Sequence, residues 1–129
     1  MTPPKPGRMA LGQAGEEAAA RHLESKGYRL VARRYRTRMG EIDLVARDGD
    51  VLVFIEVKTR SATGFGRPEE AVGFLKQARL SRLASLFLAA HPALAREGAD
   101  CRFDVVSVLW RGGERPVVDH IEDAFRPGA

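Results

Sequence analysis

At 129 residues, 44% of them hydrophobic and 29% charged, the chain has room for one domain with one core and suits an ordinary globule. No apolar stretch approaches the roughly 20 residues of a membrane span, and the polar, Pro-rich start MTPPKPGR lacks the apolar core of a signal peptide. Cys101 is the single cysteine, so an internal disulfide is excluded and a reducing cytoplasm is the expected compartment.

The net charge of +4 matters less than its placement. Residues 1–40 hold nine Lys/Arg against three Glu, whereas residues 41–129 hold twelve against fourteen acids. Between Tyr28 and Arg38 stand five arginines, Arg29, Arg33, Arg34, Arg36 and Arg38, and no acid. Such crowding is the electrostatic footprint of a phosphate-binding surface; a solvated, aggregation-resistant strand edge reads the same way.

In chain order, residues 1–8 form an expected flexible arm, 9–125 a single domain and 126–129 a tail. Residues 9–26 are rich in helix formers, with Leu11, Ala14, Ala18, Ala19 and Leu23 at helical spacing and Gly27 as the stop. Tyr28–Tyr35, Glu41–Ala46 and Val51–Thr59 read as strands, the last two joined across Asp48-Gly49-Asp50 as a hairpin. Ser61–Arg67 is expected to be a loop. A second helix is expected from Pro68-Glu69-Glu70 to Ala90, with Val72, Leu75, Leu80, Leu83, Phe87 and Ala90 buried and Lys76, Arg79 and Arg82 on the other side. Pro92 follows its end. Strands at Arg102–Trp110 and Pro116–Ile121 flank a Gly112-Gly113 turn. The order αβββαββ predicts an α/β domain, a mixed sheet flanked by helices.

The hairpin carries the chemistry. A two-residue loop at Asp48-Gly49 or Gly49-Asp50 makes partner numbers sum to 97 or 99, so odd positions on one strand face even positions on the other. Asp43 and Glu41 then share a face with Phe54, Glu56 and Lys58, while Ile42, Leu44, Val51, Val53, Ile55 and Val57 form an apolar opposite face. Val45, Leu52 and Phe54 imply that the charged face is partly covered. Buried like charges are costly and a bound cation is one remedy; oxygen ligands of this kind suit Mg²⁺ or Mn²⁺ rather than zinc. Lys58, two residues along the strand, is placed to orient or help deprotonate an attacking water. E-x-K alone is common by chance, and a self-paired charged face is the bland alternative.

Gly40-Glu41-Ile42-Asp43-Leu44-Val45 with Val53-Phe54-Ile55-Glu56-Val57-Lys58-Thr59-Arg60 resembles the PD-(D/E)-x-K nuclease pattern. With Gly15-Glu16, Lys76-Gln77, Arg102-Phe103-Asp104-Val105-Val106 and Ala124-Phe125, the chain is similar to the small bacterial YraN-type family, relatives of archaeal Holliday-junction resolvases. The resemblance implies a restriction-endonuclease-like three-layer fold. It implies Asp43, Glu56 and the Val57 carbonyl as metal ligands, with Glu16 approaching from the first helix and Lys58 positioning water. Glu41 and Gln77 join the candidate site. Arg33, Arg34, Arg36, Arg38, Arg60 and Lys76 are the expected nucleic-acid contacts. Ile42 stands where the superfamily's nominal proline would be.

His22, His91 and His120 lie far apart in sequence without metal-site spacing, and are expected at the surface or at helix ends. Cys101 is expected as a small buried hydrophobe, Trp110 as packing, and Asp104 as either a structural ion pair or a functional group. The leading expectation is a Mg²⁺- or Mn²⁺-dependent endonuclease acting on DNA, possibly branched, with a homodimer possible. The alternatives are a non-catalytic nucleic-acid-binding module that keeps the nuclease shape, or a protein-interaction adaptor.

Overall fold

The computed structural model describes residues 8–61, 73–95, 100–111 and 115–126, with side chains from residue 11 onward. The order is α1 (Arg8–Ser25), β1 (Arg29–Thr37), β2 (Gly40–Asp48), β3 (Val51–Ser61), α2 (Phe74–Ala90), β4 (Cys101–Trp110) and β5 (Val117–Ile121), the expected αβββαββ. The arm before Arg8, most of the loop 61–67, the Pro68-Glu69-Glu70 turn, Val72, the Gly112-Gly113 turn and most of the tail lie outside the described residues. Among the described residues, no helix is long and apolar enough to cross a membrane.

The five strands form one mixed sheet in the order β1-β2-β3-β4-β5. Three pairings are antiparallel; β3 and β4 run parallel, joined through the segment that contains α2. The two helices cover opposite faces. Ala19, Ala20 and Leu23 of α1 pack on Leu44, Ala46, Val53, Ile55, Val106 and Val108. Leu80, Leu83, Ala84 and Phe87 of α2 pack on Ile42, Val45, Leu52, Phe54 and Val105. The result is a three-layer α/β/α domain.

Local chemistry sets the boundaries. Gly27 takes φ 93° at the end of α1, and the Tyr28 and Gly27 amides donate to the Leu23 and Glu24 carbonyls, each at 3.0 Å. This pair of bonds closes the helix in a Schellman turn. The hairpin register is Leu44↔Ile55 through Asp48↔Val51, so the loop is Gly49-Asp50 and partners sum to 99. Gly49, with φ 61°, supplies the left-handed first loop residue that such turns favour.

Several expectations need correction. α2 begins only at Phe74, behind an extended, non-helical Gly73 (φ −72°, ψ 170°), so no continuous helix runs from Pro68. Phe74 and Leu75 are exposed, at 83% and 80%, and so is Ala90; the buried stripe is confined to the middle of the helix. Ser61 ends β3 rather than opening a loop. Cys101 does start a strand but is exposed, because the first residue of β4 lies beyond the packed layers.

Asp104 resolves as structural. Fully buried, its carboxylate accepts Arg102 Nε at 2.9 Å and Nη2 at 3.0 Å, His120 Nε2 at 2.7 Å and the Asp123 amide at 2.9 Å. Burial alone raises its pKa, but His120, Arg102 and that amide outweigh it and hold it below the usual carboxylate range. The His120 side chain is 1% exposed, contrary to a surface histidine, because β5 pairs with β4 and turns the ring onto Asp104. Arg102 also reaches Asp48 at 3.1 Å and the Tyr28 hydroxyl at 2.6 Å, tying β4 to the hairpin and to the start of β1.

Gly15 fixes how closely α1 approaches β3. A Cβ there would stand 2.8 Å from Thr59 Cγ2 and 2.9 Å from Thr59 Cβ, and closer still to the hydroxyl, whereas a Cβ at Gly12 would meet nothing within 4 Å. Alanine is the better helix former by about 1 kcal/mol, so Gly12→Ala should stabilise modestly. Gly15→Ala should instead destabilise, by about 1–3 kcal/mol of overpacking in denaturant unfolding. Two changes of the same sign would show that α1 does not sit this close to the sheet.

Candidate active site

The site forms where β2 and β3 part. Their ladder ends at Leu44↔Ile55. Beyond it, residues 40–42 of β2 pair with β1, while residues 56–61 of β3 pair with β4. At the fork the Val57 amide donates to Asp43 Oδ2 at 2.8 Å, so a side chain takes the place of a strand carbonyl. Arg34 falls opposite Asp43, between the pairs Arg33↔Leu44 and Tyr35↔Ile42, and has φ 52°. Alternation breaks here in both strands. Leu44 packs under α1, yet Ile42 and Tyr35 belong to the α2 side, which corrects the expected apolar face that grouped Ile42 with Leu44.

The fork gathers acids from three elements. One carboxylate oxygen each from Glu16 (α1), Glu41 and Asp43 (β2) lie within 4.8 Å of one another. Gly15 sets the height of Glu16 through the contact of α1 with Thr59. Glu56 is buried beside them, and both Lys76 Nζ (2.6 Å) and Lys58 Nζ (3.4 Å) approach its Oε1. A cleft of ≈ 250 Å³ is lined by Gly40, Glu41, Asp43, Glu56, Lys76, Arg79, Leu80 and Leu83. Asp43, Glu56 and Lys58 thus come together as the hairpin parity predicts, with Lys76 added from α2 and Gln77 next to it on that helix. Arg79 is a further cation on the cleft wall. The sequence placed it on the side of α2 away from the apolar stripe, and only the crossing of α2 over the fork brings it here.

The charges perturb one another. Burial, then the Glu56 carboxylate, then Glu16 and Glu41 push Asp43 up from 3.8 to about 7, against the Val57 amide, which favours the ionised form. Burial and the neighbouring Lys76 pull the Lys58 amine below its ordinary value, although Glu56 opposes them. Burial alone would lower Lys76 too, but its bonds to Glu56 and Lys58 raise it.

The arginine strand is less free than its sequence suggests. Arg33 pairs with Glu17 at 2.7 Å, Arg34 with Glu16 at 2.8 Å and Arg36 with Glu41 at 3.3 Å. Arg29 and Arg38 are exposed and have no acidic partner among the described residues. Arg60 lies at the far end of β3 opposite Leu109, half-buried. The acids that answer the strand come from α1 and β2, outside the window in which the arginines were counted.

The model described as "Uncharacterised protein family UPF0102" matches residues 15–108, which include Glu16, the whole fork and β4 as far as Val108. A UPF0102 protein of Nocardia farcinica is 51% identical over 118 residues, covering 92% of this chain and 91% of the relative. One from Symbiobacterium thermophilum is 58% identical over 98 residues, 76% of this chain and 80% of its own length. One from Anaeromyxobacter dehalogenans is 47% identical over 126 residues, 95% and 91% respectively. The chain belongs to the uncharacterised bacterial family UPF0102, the YraN-type family that its motifs resemble.

Proposed function

We propose that this protein is a divalent-metal-dependent nuclease that hydrolyses phosphodiester bonds in DNA, with branched or otherwise structured DNA as the favoured form. The observation that carries the reading is the convergence of the Glu16, Glu41 and Asp43 oxygens within 4.8 Å, beside Glu56 and Lys58. The donors are all oxygens, which suits Mg²⁺ or Mn²⁺. Asp43, half-protonated near neutrality, gains by facing a cation instead of a proton. Asp43 and Glu56, with the Val57 carbonyl, Glu16 and Glu41 at the same fork, would hold the ion. Bound there, it would supply charge neutralisation at the phosphoryl group.

The chain's own groups do the rest. Lys58, whose amine burial and Lys76 draw below its ordinary value, orients the attacking water and helps to deprotonate it. Lys76 and Arg79 on the cleft wall, Arg33, Arg34, Arg36 and Arg38 of the β1 segment, and Arg60 of β3 are the proposed phosphate contacts. The exposed, unpaired Cys101 accords with a reducing cytoplasm as the place of action. A non-catalytic nucleic-acid-binding module is the second reading, favoured by one feature: Lys58 and Lys76 both rest on Glu56, so the pocket neutralises part of its own charge.

Metal and pH are linked through Asp43. Its folded pKa is raised, so its contribution to stability is present below about pH 4 and is lost as pH rises through about 7. EDTA-treated wild type should therefore lose melting temperature between about pH 4 and pH 7, relative to Asp43→Asn. At about pH 8 that variant should melt several degrees higher than metal-free wild type. Millimolar Mn²⁺ should raise the wild-type melting temperature and leave Asp43→Asn nearly unmoved. A wild-type curve unchanged by Mn²⁺ would sink the metal site.

Catalysis is tested at Lys58. Lys58→Ala should keep Mn²⁺ binding while slowing cleavage of a four-way junction or flap by roughly 10²–10⁴-fold, the usual loss on removing a positioned acid–base group. Lys58→Arg should retain part of the rate if charge outweighs proton transfer. Should wild type cut neither junction, flap, single-stranded nor duplex DNA, nor RNA, with Mg²⁺ or Mn²⁺, the binding-module reading replaces the enzyme.

A further inference from the structure

Arg34 is unusual in two independent ways. Its φ of 52° is shared among the described non-glycine residues only by Asp123. A side chain gains nothing from this region, where its Cβ crowds the following carbonyl, so the surroundings must impose the conformation. Its Nε also donates to Glu16 Oε2 at 2.8 Å, and Glu16 is one of the three acids that converge at the fork. The two facts have one geometric origin. Arg34 lies opposite Asp43, where alternation breaks in both strands, and the guanidinium reaches across to Glu16 on α1.

We propose that Arg34 is a built-in counter-ion of the acidic cluster, competing with a divalent cation for the Glu16 carboxylate. This rests on the metal-binding reading above. A carboxylate that holds a guanidinium 2.8 Å away has its charge answered and one oxygen committed. A second cation arriving beside it meets repulsion as well as a lost lone pair. The Arg34 side chain is 39% exposed, so its pair with Glu16 is screened and weak enough for a doubly charged ion to displace. Arg36 holds Glu41 at 3.3 Å and is more exposed, at 69%, so it opposes the ion less. Metal affinity is then multiplied by the fraction of molecules in which Arg34 has let go, and so reduced. The protein would fill its site only above a threshold of free cation that Arg34 sets.

The test is calorimetric titration of EDTA-stripped protein with Mn²⁺ alone, on wild type, Arg34→Asn, Arg34→Gln and Arg29→Gln. Asn tolerates the left-handed backbone, so Arg34→Asn should keep the fold, which a melting curve in EDTA checks. Both Arg34 variants should bind Mn²⁺ about threefold tighter or better, the scale expected from an exposed ion pair. Arg29→Gln removes the same charge from an exposed site on the same strand and should change affinity by less than half as much. Unchanged or weaker Mn²⁺ binding by both Arg34 variants, with wild type still binding, overturns the proposal and spares the metal site. An equal shift in Arg29→Gln also overturns it, because net charge alone would then suffice. A wild type that takes no Mn²⁺ removes the metal reading and this inference with it.

Discussion

The bond from the Val57 amide to the Asp43 carboxylate is the point on which the site depends. Two antiparallel strands can separate inside a sheet only if the backbone groups they abandon find other partners, because an unpaired buried amide costs about as much as a lost hydrogen bond. Asp43 meets that need with a side chain, at 2.8 Å, one step past the last ladder pair. The strands can then diverge without an orphaned amide, and no buried side-chain nitrogen or oxygen lacks a partner among the described residues. The same carboxylate is thereby held half-buried among other acids. Structure and chemistry draw on one group, so the residue that opens the fork is also the one that most needs a cation.

The rest of the fold keeps the fork in place. Gly15 lets α1 lie against Thr59, which brings the next residue, Glu16, within reach of Asp43. On the other face, α2 crosses over the fork and lowers Lys76 onto Glu56. On β4, opposite Ile55, Asp104 binds Arg102, His120 and the Asp123 amide, and Arg102 extends to the hairpin and to Tyr28. A fully satisfied buried network of this kind rigidifies its surroundings. The β4–β5 side of the sheet is locked by internal polar bonds, while the fork between β2 and β3 opens onto the cleft.

What the sequence conveyed depended on how local the determining interaction was. Gly27, the two-residue loop at Gly49-Asp50 and the stop near Pro92 are set by one or two residues, and each stands as expected. Hairpin parity placed Asp43 with Glu56 and Lys58, since that depends only on the turn. It failed at Ile42, because the break in alternation is produced jointly by Asp43 and by Arg34 on the neighbouring strand. No period-2 pattern carries that information. His120 was misread for a similar reason: its partner Asp104 is sixteen residues away and meets it only through strand pairing. Leu75 looked like core by helical spacing, but it stands exposed in the first turn of α2, where spacing alone cannot tell whether anything covers it. The acids that pair with the arginine strand were invisible for as long as charge was counted along the chain and not across it.

That last point changes the electrostatic picture of the molecule. Summed along the sequence, β1 is a strip of free positive charge. In the fold, Arg33, Arg34 and Arg36 answer Glu17, Glu16 and Glu41, while Lys76 and Lys58 answer Glu56. Asp43 has no side-chain cation bonded to it among the described residues, and it takes up a proton near neutrality instead. The fork is therefore close to self-compensated, each acid holding a cation or a proton that can be exchanged. The pairs of Arg33 and Arg36 are easily broken, because exposed pairs contribute at most about 1 kcal/mol. Self-compensation also keeps four carboxylates together in a folded protein before any ligand arrives. A cation entering at Asp43 would displace a proton and loosen the arginines. Positive charge would then be released on β1, where the proposed function would have a phosphate backbone approach.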